Sequence, residues 1–253
     1  MSNTKITRVG EACFYHVYDF LSSDLVNSLL KCVEVNHGDY EDGWEIRNIK
    51  QDVKEAISQE DWSRWGKTLG HTEDLPYDFL KKQDFWNSYF TKMHHYLTEY
   101  LKIANLSYPD IKALTTWFVR AYGYTQMDID RFHKPYGNTG ELYVDKQHHT
   151  HPANHVVGCV YYLKTPSDAY GTLIKVDDQE FILPGKENSI LFFDPRIPHS
   201  SVRPSPAIGQ KYPRHTVITD FGIDKPFSQM NTLISKIREQ GATKRWNKLI
   251  NNS

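Results

Sequence analysis

The densest chemistry in the chain is the run Gln147-His-His-Thr-His-Pro-Ala-Asn-His155, which carries four histidines just ahead of the apolar stretch Val156–Leu163. Neutral imidazole is the commonest protein ligand for iron, copper, nickel and zinc. In extended backbone, residues two apart face the same side, so His149 and His151 can address one ion. A third ligand has to come from elsewhere. His199 is well placed, at the head of another strand-like run after Phe192-Phe-Asp-Pro-Arg-Ile-Pro. For the H-x-H pair taken alone, a His-rich polar loop is an equal alternative. Arg196 and Arg203 flank His199 and read as surface ion pairs or as contacts to an acidic ligand.

Strands must hold such a cluster, and the second half of the chain supplies them. After Pro109, short apolar or alternating runs occur at Ala113–Tyr122, Met127–His133, His155–Leu163, Gly171–Val176, Glu180–Leu183, Ser189–Phe193, Ser200–Arg203 and Arg214–Phe221. Clusters of Gly, Pro, Asn and Asp separate them. That density of short strands predicts a double-sheet jelly roll. The first half reads as helical after one short strand near Ala12–Tyr18. Capping residues precede Leu25, Val26, Leu29, Leu30 and Val33 at helical spacing. Phe85, Trp86, Tyr89, Phe90, Met93, Leu97, Tyr100 and Leu101 form a stronger apolar stripe, read as core. A last helical segment spans about Pro226–Leu249. The expected architecture is α+β: one domain over 1–253, mainly helical over 1–108, a jelly-roll core over 109–222, and a C-terminal helix over 223–253. The N-terminal helices are expected to pack on one sheet.

Composition narrows the partners. The 253 residues carry 30 basic and 31 acidic side chains, without the basic excess that phosphate binding usually needs. Lys244–Lys248 is the one basic patch, read as a solvated helix end. Three cysteines (Cys13, Cys32, Cys159) without C-x-x-C spacing suggest neither a disulfide framework nor a zinc knuckle. No stretch approaches the roughly 18 apolar residues of a membrane span. The polar Met1–Gly10 lacks a signal peptide's apolar run. A soluble cytoplasmic protein is expected, with no membrane partner and nucleic acid disfavoured.

In order along the chain stand H-x-H at 149–151, Cys159-Val-Tyr-Tyr-Leu163, Gly171-Thr-Leu, Asn188-Ser-Ile-Leu-Phe-Phe, Pro198-His199 and Arg214-His-Thr-Val-Ile-Thr-Asp-Phe. Across residues 110–222 this series resembles the Fe(II)/2-oxoglutarate dioxygenase superfamily, in the style of its prolyl-hydroxylase-like and phage-type branch. The resemblance implies a cupin-like double-stranded β-helix. It implies Fe(II) as metal, 2-oxoglutarate as cosubstrate and O2 as oxidant. His149 would be the first ligand and His199 the last. Arg214 would grip the distal carboxylate of 2-oxoglutarate, as a bidentate guanidinium suits. Tyr162 and Thr216 would add hydroxyl contacts there, while Tyr161 points to the opposite face. The implied reaction is hydroxylation of an unactivated C–H bond, with 2-oxoglutarate converted to succinate and CO2. The substrate would be a peptidyl residue such as proline, a free amino acid or a small metabolite; a nucleobase ranks lower.

One position departs from the family pattern. His151 stands where the H-x-D/E…H triad has its carboxylate. Three readings stay open: His151 coordinates and completes a three-histidine face; His151 turns away and leaves an open position, as in iron halogenases; or the register is shifted, with His151 first and Asn154 or His155 near the second position. Asp145 and Asp194 are the nearest carboxylates, and neither has the family spacing. A non-catalytic metal-binding jelly-roll module is a further alternative, since the fold alone implies no chemistry. Ile190, Phe192, Val217 and Thr219 are candidates to line the pocket. Met127–Lys146 reads as a substrate lid carrying Arg131, Tyr136 and Tyr143, or as an ordinary hairpin. Gly43–Asn48 and the Trp62/Trp65 pair are candidate covers.

Overall fold

The computed structural model describes residues 3–37, 72–76, 84–108, 110–121 and 133–223. The strands are β1 (Thr4–Val9), β2 (Ala12–Val17), β3 (Thr72–Pro76), β4 (Lys112–Ala121), β5 (His133–Tyr136), β6 (Leu142–Asp145), β7 (His155–Lys164), β8 (Thr172–Val176), β9 (Gln179–Leu183), β10 (Ser189–Phe193), β11 (His199–Ser201), β12 (Arg203–Pro204) and β13 (Arg214–Gly222). The helices are α1 (Ser23–His37), α2 (Trp86–Ile103) and α3 (Pro206–Lys211). The expected C-terminal helix, the Lys244–Lys248 patch, Arg131, Gly43–Asn48 and the Trp62/Trp65 pair lie outside the described residues. Among those described, no helix is long and apolar enough to cross a membrane.

Seven antiparallel strands form the larger sheet, in the order β1-β2-β10-β7-β13-β4-β3. The opposing layer is built from two three-stranded pieces, β11-β8-β9 and β12-β6-β5. Since β11 and β12 are consecutive parts of one run, residues 199–204 stitch the two pieces together: His199–Ser201 pair with β8, and Arg203–Pro204 pair with β6. The result is the expected jelly roll.

The central strands are apolar on both sides because both sides are covered. Eight consecutive residues of β7, Val156–Leu163, are buried, as are all five of β10. One face of the larger sheet receives the helices: Leu29 of α1 and Tyr89, Met93, Leu97 and Tyr100 of α2 join Tyr15, Tyr161, Phe192 and Val217 in one core. The α2 residues recur every three or four positions, so one stripe of the helix carries the contact, and burial of each such side chain is worth about 1.5–3 kcal/mol. The other face closes against the second layer through Phe14, Val160, Tyr162, Leu191 and Phe193 on one side and Ile174 and Leu183 on the other. This second interior holds the candidate site. Cys159 is buried, as the apolar strand implies, and burial holds its thiol well above the ordinary range.

Two expectations for the helical half need correction. Residues 4–9 form a strand, although their polar composition hid it: β1 is an edge, half exposed, bearing Lys5 and Arg8 as edge strands often bear charge. Residues 72–76 close the opposite edge. Of the expected run Met127–His133 only His133 is described; it opens the β5–β6 hairpin, so the described part of the segment into the cluster takes the ordinary-hairpin form.

Candidate metal centre

The histidine cluster is set by backbone pairing. His149 and His199 stand directly opposite each other and exchange two hydrogen bonds, His149 N–H to His199 O and His199 N–H to His149 O, each 3.0 Å. A pair joined this way carries its side chains on the same face. The His151 amide is tied in turn to the carbonyl of Pro195 at 3.0 Å. The three rings therefore converge. Their centroids lie 4.3 Å apart for His149–His199, 5.1 Å for His151–His199 and 5.4 Å for His149–His151. One ring nitrogen from each lies within 4.8 Å of the other two, the spacing that a single cation needs. His199 is buried against the Phe193 ring, His151 is intermediate, and His149 is half exposed at the mouth.

The outer hydrogen bonds decide which nitrogens face inward. A carbonyl only accepts, so the His199 Nδ1 donates to Ile197 O at 2.8 Å, and its Nε2 keeps the lone pair. The His151 Nδ1 lies 2.8 Å from Asp220 Oδ2, which likewise places its proton on Nδ1. The His149 Nδ1 faces Asp145 at 3.9 Å, and Asp145 also meets His133 Nε2 at 3.2 Å. Burial pushes the His199 imidazole down to about 3, reinforced by the neighbouring His149. It is neutral, as a metal ligand must be. Burial also lowers His149. At Asp220 burial works to raise the carboxyl, and the hydrogen bonds from His151 and His155 overcome it, leaving a net downward shift.

A second grouping, His151, His155 and Asp220, shares a member with the first. Its geometry is that of two ring N–H groups donating to one carboxylate oxygen, at 2.8 Å from His151 and 3.2 Å from His155. Asp220 was not singled out in the sequence, although the signal was there. It lies six residues after Arg214 on β13, in phase with Arg214, Thr216 and Ile218 on the interior face. Asp145, read only as a carboxylate of unsuitable spacing, ends β6 beside His149.

At the far end of the same face sits Arg214, buried to 2% exposure. Its Nε donates to Tyr170 O at 2.8 Å, Nη2 to Gly171 O at 3.2 Å, and Nη1 to Thr216 Oγ1 at 3.3 Å. The guanidinium lies 5.5 Å from the centroid of the Tyr162 ring, whose hydroxyl is 2.7 Å from Thr172 Oγ1. Tyr161, by contrast, faces the helices and bonds Asn188 Oδ1 at 3.0 Å. The seat depends on a close backbone contact: a Cβ on Gly171 would collide with the Leu183 carbonyl and sit 2.7 Å from the Gly185 nitrogen. About 20 Å of strand separates the Arg214 and Asp220 backbones, given the rise per residue.

Some expected positions fall elsewhere. Ile190, Phe192 and Val217 belong to the core under the helices, and Thr219 lies beside Tyr89 there, so none of the four lines the interior. Leu191, Phe193 and Ile218 take those places. Alternation cannot choose a face when both are covered. Arg196 pairs with Asp194 two residues away, and Arg203 lies 4.0 Å from Asp145.

The donor set suits a borderline transition metal: three imidazole nitrogens on one side, with the rest of the coordination sphere available to other ligands. No protein-family model matches the chain, and no curated protein matches its sequence. Solved structures do match in shape. A prolyl-4-hydroxylase from Pseudomonas putida is 14% identical, with 84% of this chain and 93% of that one covered at a TM-score of 0.50. A prolyl hydroxylase from Trichoplax adhaerens, in complex with a hypoxia inducible factor oxygen degradation domain peptide fragment, is 12% identical over 83% of each chain, at a TM-score of 0.49. At such identities the first of these likenesses establishes the fold.

Proposed function

We propose that this chain is an Fe(II)- and 2-oxoglutarate-dependent oxygenase, with His149, His151 and His199 holding the metal and Arg214 holding the distal carboxylate of the cosubstrate. The observation that carries the reading is the convergence of three ring nitrogens within 4.8 Å on the interior face of a jelly roll. When bound, the iron couples oxidative decarboxylation of 2-oxoglutarate to hydroxylation of a C–H bond. The chain's own residues bind and orient. Arg214 gives a fixed positive fork for a carboxylate, with the Thr216 hydroxyl beside it. Tyr162 closes the same subsite through its hydroxyl and ring. Leu191, Phe193 and Ile218 keep the interval between Arg214 and the histidines apolar, which limits access of water to the reacting centre.

Two competing readings fare less well. A halogenase-like open position requires His151 to turn away, whereas its ring lies with those of His149 and His199. A simple metal-binding module has no use for a buried guanidinium at the far end of the same strand. The substrate class we favour is a peptidyl residue such as proline, a free amino acid or another small metabolite, on the shared fold with a prolyl-4-hydroxylase. The test is aerobic incubation with Fe(II) and 2-oxoglutarate, with succinate measured. Wild-type protein is expected to release succinate even without prime substrate, and His199→Ala to release none. Equal release from both proteins, or none from either, refutes the reading.

A further inference from the structure

A three-histidine face lacks the negative charge that a histidine–histidine–carboxylate face brings to a divalent ion. Three neutral imidazoles leave both positive charges of the ion uncompensated inside a protein interior, where an isolated charge is costly. The chain contains a carboxylate placed to answer this. Asp220 is 2% exposed, lies on the interior face of β13, and puts Oδ2 2.8 Å from the Nδ1 of His151. His155 holds the same oxygen from another side at 3.2 Å, fixing the carboxylate in place. A histidine that ligates through Nε2 while donating its Nδ1 proton to a carboxylate is a stronger ligand and is locked in one ring orientation.

We propose that Asp220 is the charge-compensating group of this site, acting on the metal through His151 as a positioning residue rather than as a ligand. Relative to the histidine–histidine–carboxylate pattern, residue 151 is a histidine and the negative charge stands behind it, on β13. His155 serves as the anchor of Asp220 and does not touch the ion. This inference rests on the three-histidine reading of the site.

Co(II) titration of the metal-free full-length protein, followed by visible absorption, tests it without any turnover. Asp220→Asn keeps an oxygen acceptor for His151 but removes the charge, and is expected to weaken Co(II) binding about 10- to 100-fold with an unchanged band pattern. In a His151→Ala background the same change is expected to cost less than about 3-fold, because the route to the metal is gone. His155→Ala is expected to stay within about 10-fold of wild type. A loss under about 10-fold in Asp220→Asn overturns the proposal, as does a changed ligand spectrum in that variant or a larger loss in His155→Ala, either of which makes Asp220 or His155 a ligand. Should Asp220→Asn fail to fold, proton NMR of Zn(II)-loaded wild type decides. A solvent-protected ring N–H resonance, lost in His151→Ala, must lie further downfield than that of His199, whose partner is a neutral carbonyl; its absence overturns the proposal. The underlying reading fails separately, if His149→Ala and His199→Ala both bind Co(II) as wild type does.

Discussion

Unfolding the metal-free protein in urea at two pH values exposes the cost of its buried histidines. His199 is driven by burial to about 3 and His16, buried beside Ser189 with Lys5 and Lys186 nearby, to about 4, against an ordinary 6.5. The sign follows from proton uptake. Below 6.5 the unfolded chain binds protons that the folded chain refuses, so stability falls as pH falls, from about 6.5 down to the folded values. At about pH 5 the unfolded state has gained roughly 1.5 pH units of protonation per histidine, which is about 2 kcal/mol each at 1.36 kcal/mol per unit. That figure depends only on both folded values lying below 5. The pair together removes about 4 kcal/mol between about pH 8 and pH 5, a large share of the 5–15 kcal/mol that holds a typical domain folded. Asp145 and Asp220 stay out of this window: their lowered carboxyls contribute stability that is lost only below the ordinary 3.8. The assay is urea unfolding with chelator present, because bound metal would add stability by mass action. His149, also lowered by burial, adds to the drop, and His199→Gln is expected to remove about 2 kcal/mol of it. A wild type equally stable at both pH values, or a His199→Gln variant that keeps the full drop, refutes the reasoning.

Two further substitutions separate the ends of the site. Arg214→Ala is expected to raise the 2-oxoglutarate concentration for half-maximal turnover more than about 10-fold while leaving Co(II) affinity within about 3-fold, since the lost charge lies at the carboxylate end; a joint loss of both would place Arg214 in the metal site. Gly171→Ala is expected to destabilise by more than about 3 kcal/mol in urea unfolding, because its Cβ meets backbone rather than a movable side chain. A loss under about 1 kcal/mol would mean the 171/185 contact relaxes freely.

The strands that position the site were plain in the sequence because their apolar runs are bounded by turn residues. Val156–Leu163, Ser189–Phe193 and Arg214–Phe221 all emerge as strands close to the expected limits. The three histidines were visible by type and spacing; alternation said only that Tyr161 and Tyr162 face opposite ways, and the family resemblance pointed to Tyr162. What escaped has physical causes. Thr4–Val9 reads as a polar terminus because an edge strand is half solvated. The pocket-lining face of β10 was indeterminate because helices cover one side of the sheet and the second layer covers the other. Asp220 escaped because a positioning carboxylate obeys no ligand spacing; only its phase with Arg214 and Thr216 along β13 marks it.

The reciprocal amide–carbonyl exchange between His149 and His199 means that the gap between the first and last histidines is set by the backbone. An entering ion finds its berth already cut and spends little of its affinity on ordering the chain. Such a rigid imidazole set ranks divalent ions by their intrinsic appetite for nitrogen, which rises from iron through cobalt and nickel to copper. On the proposed reading, purification in nickel-rich buffers is expected to load nickel in place of iron.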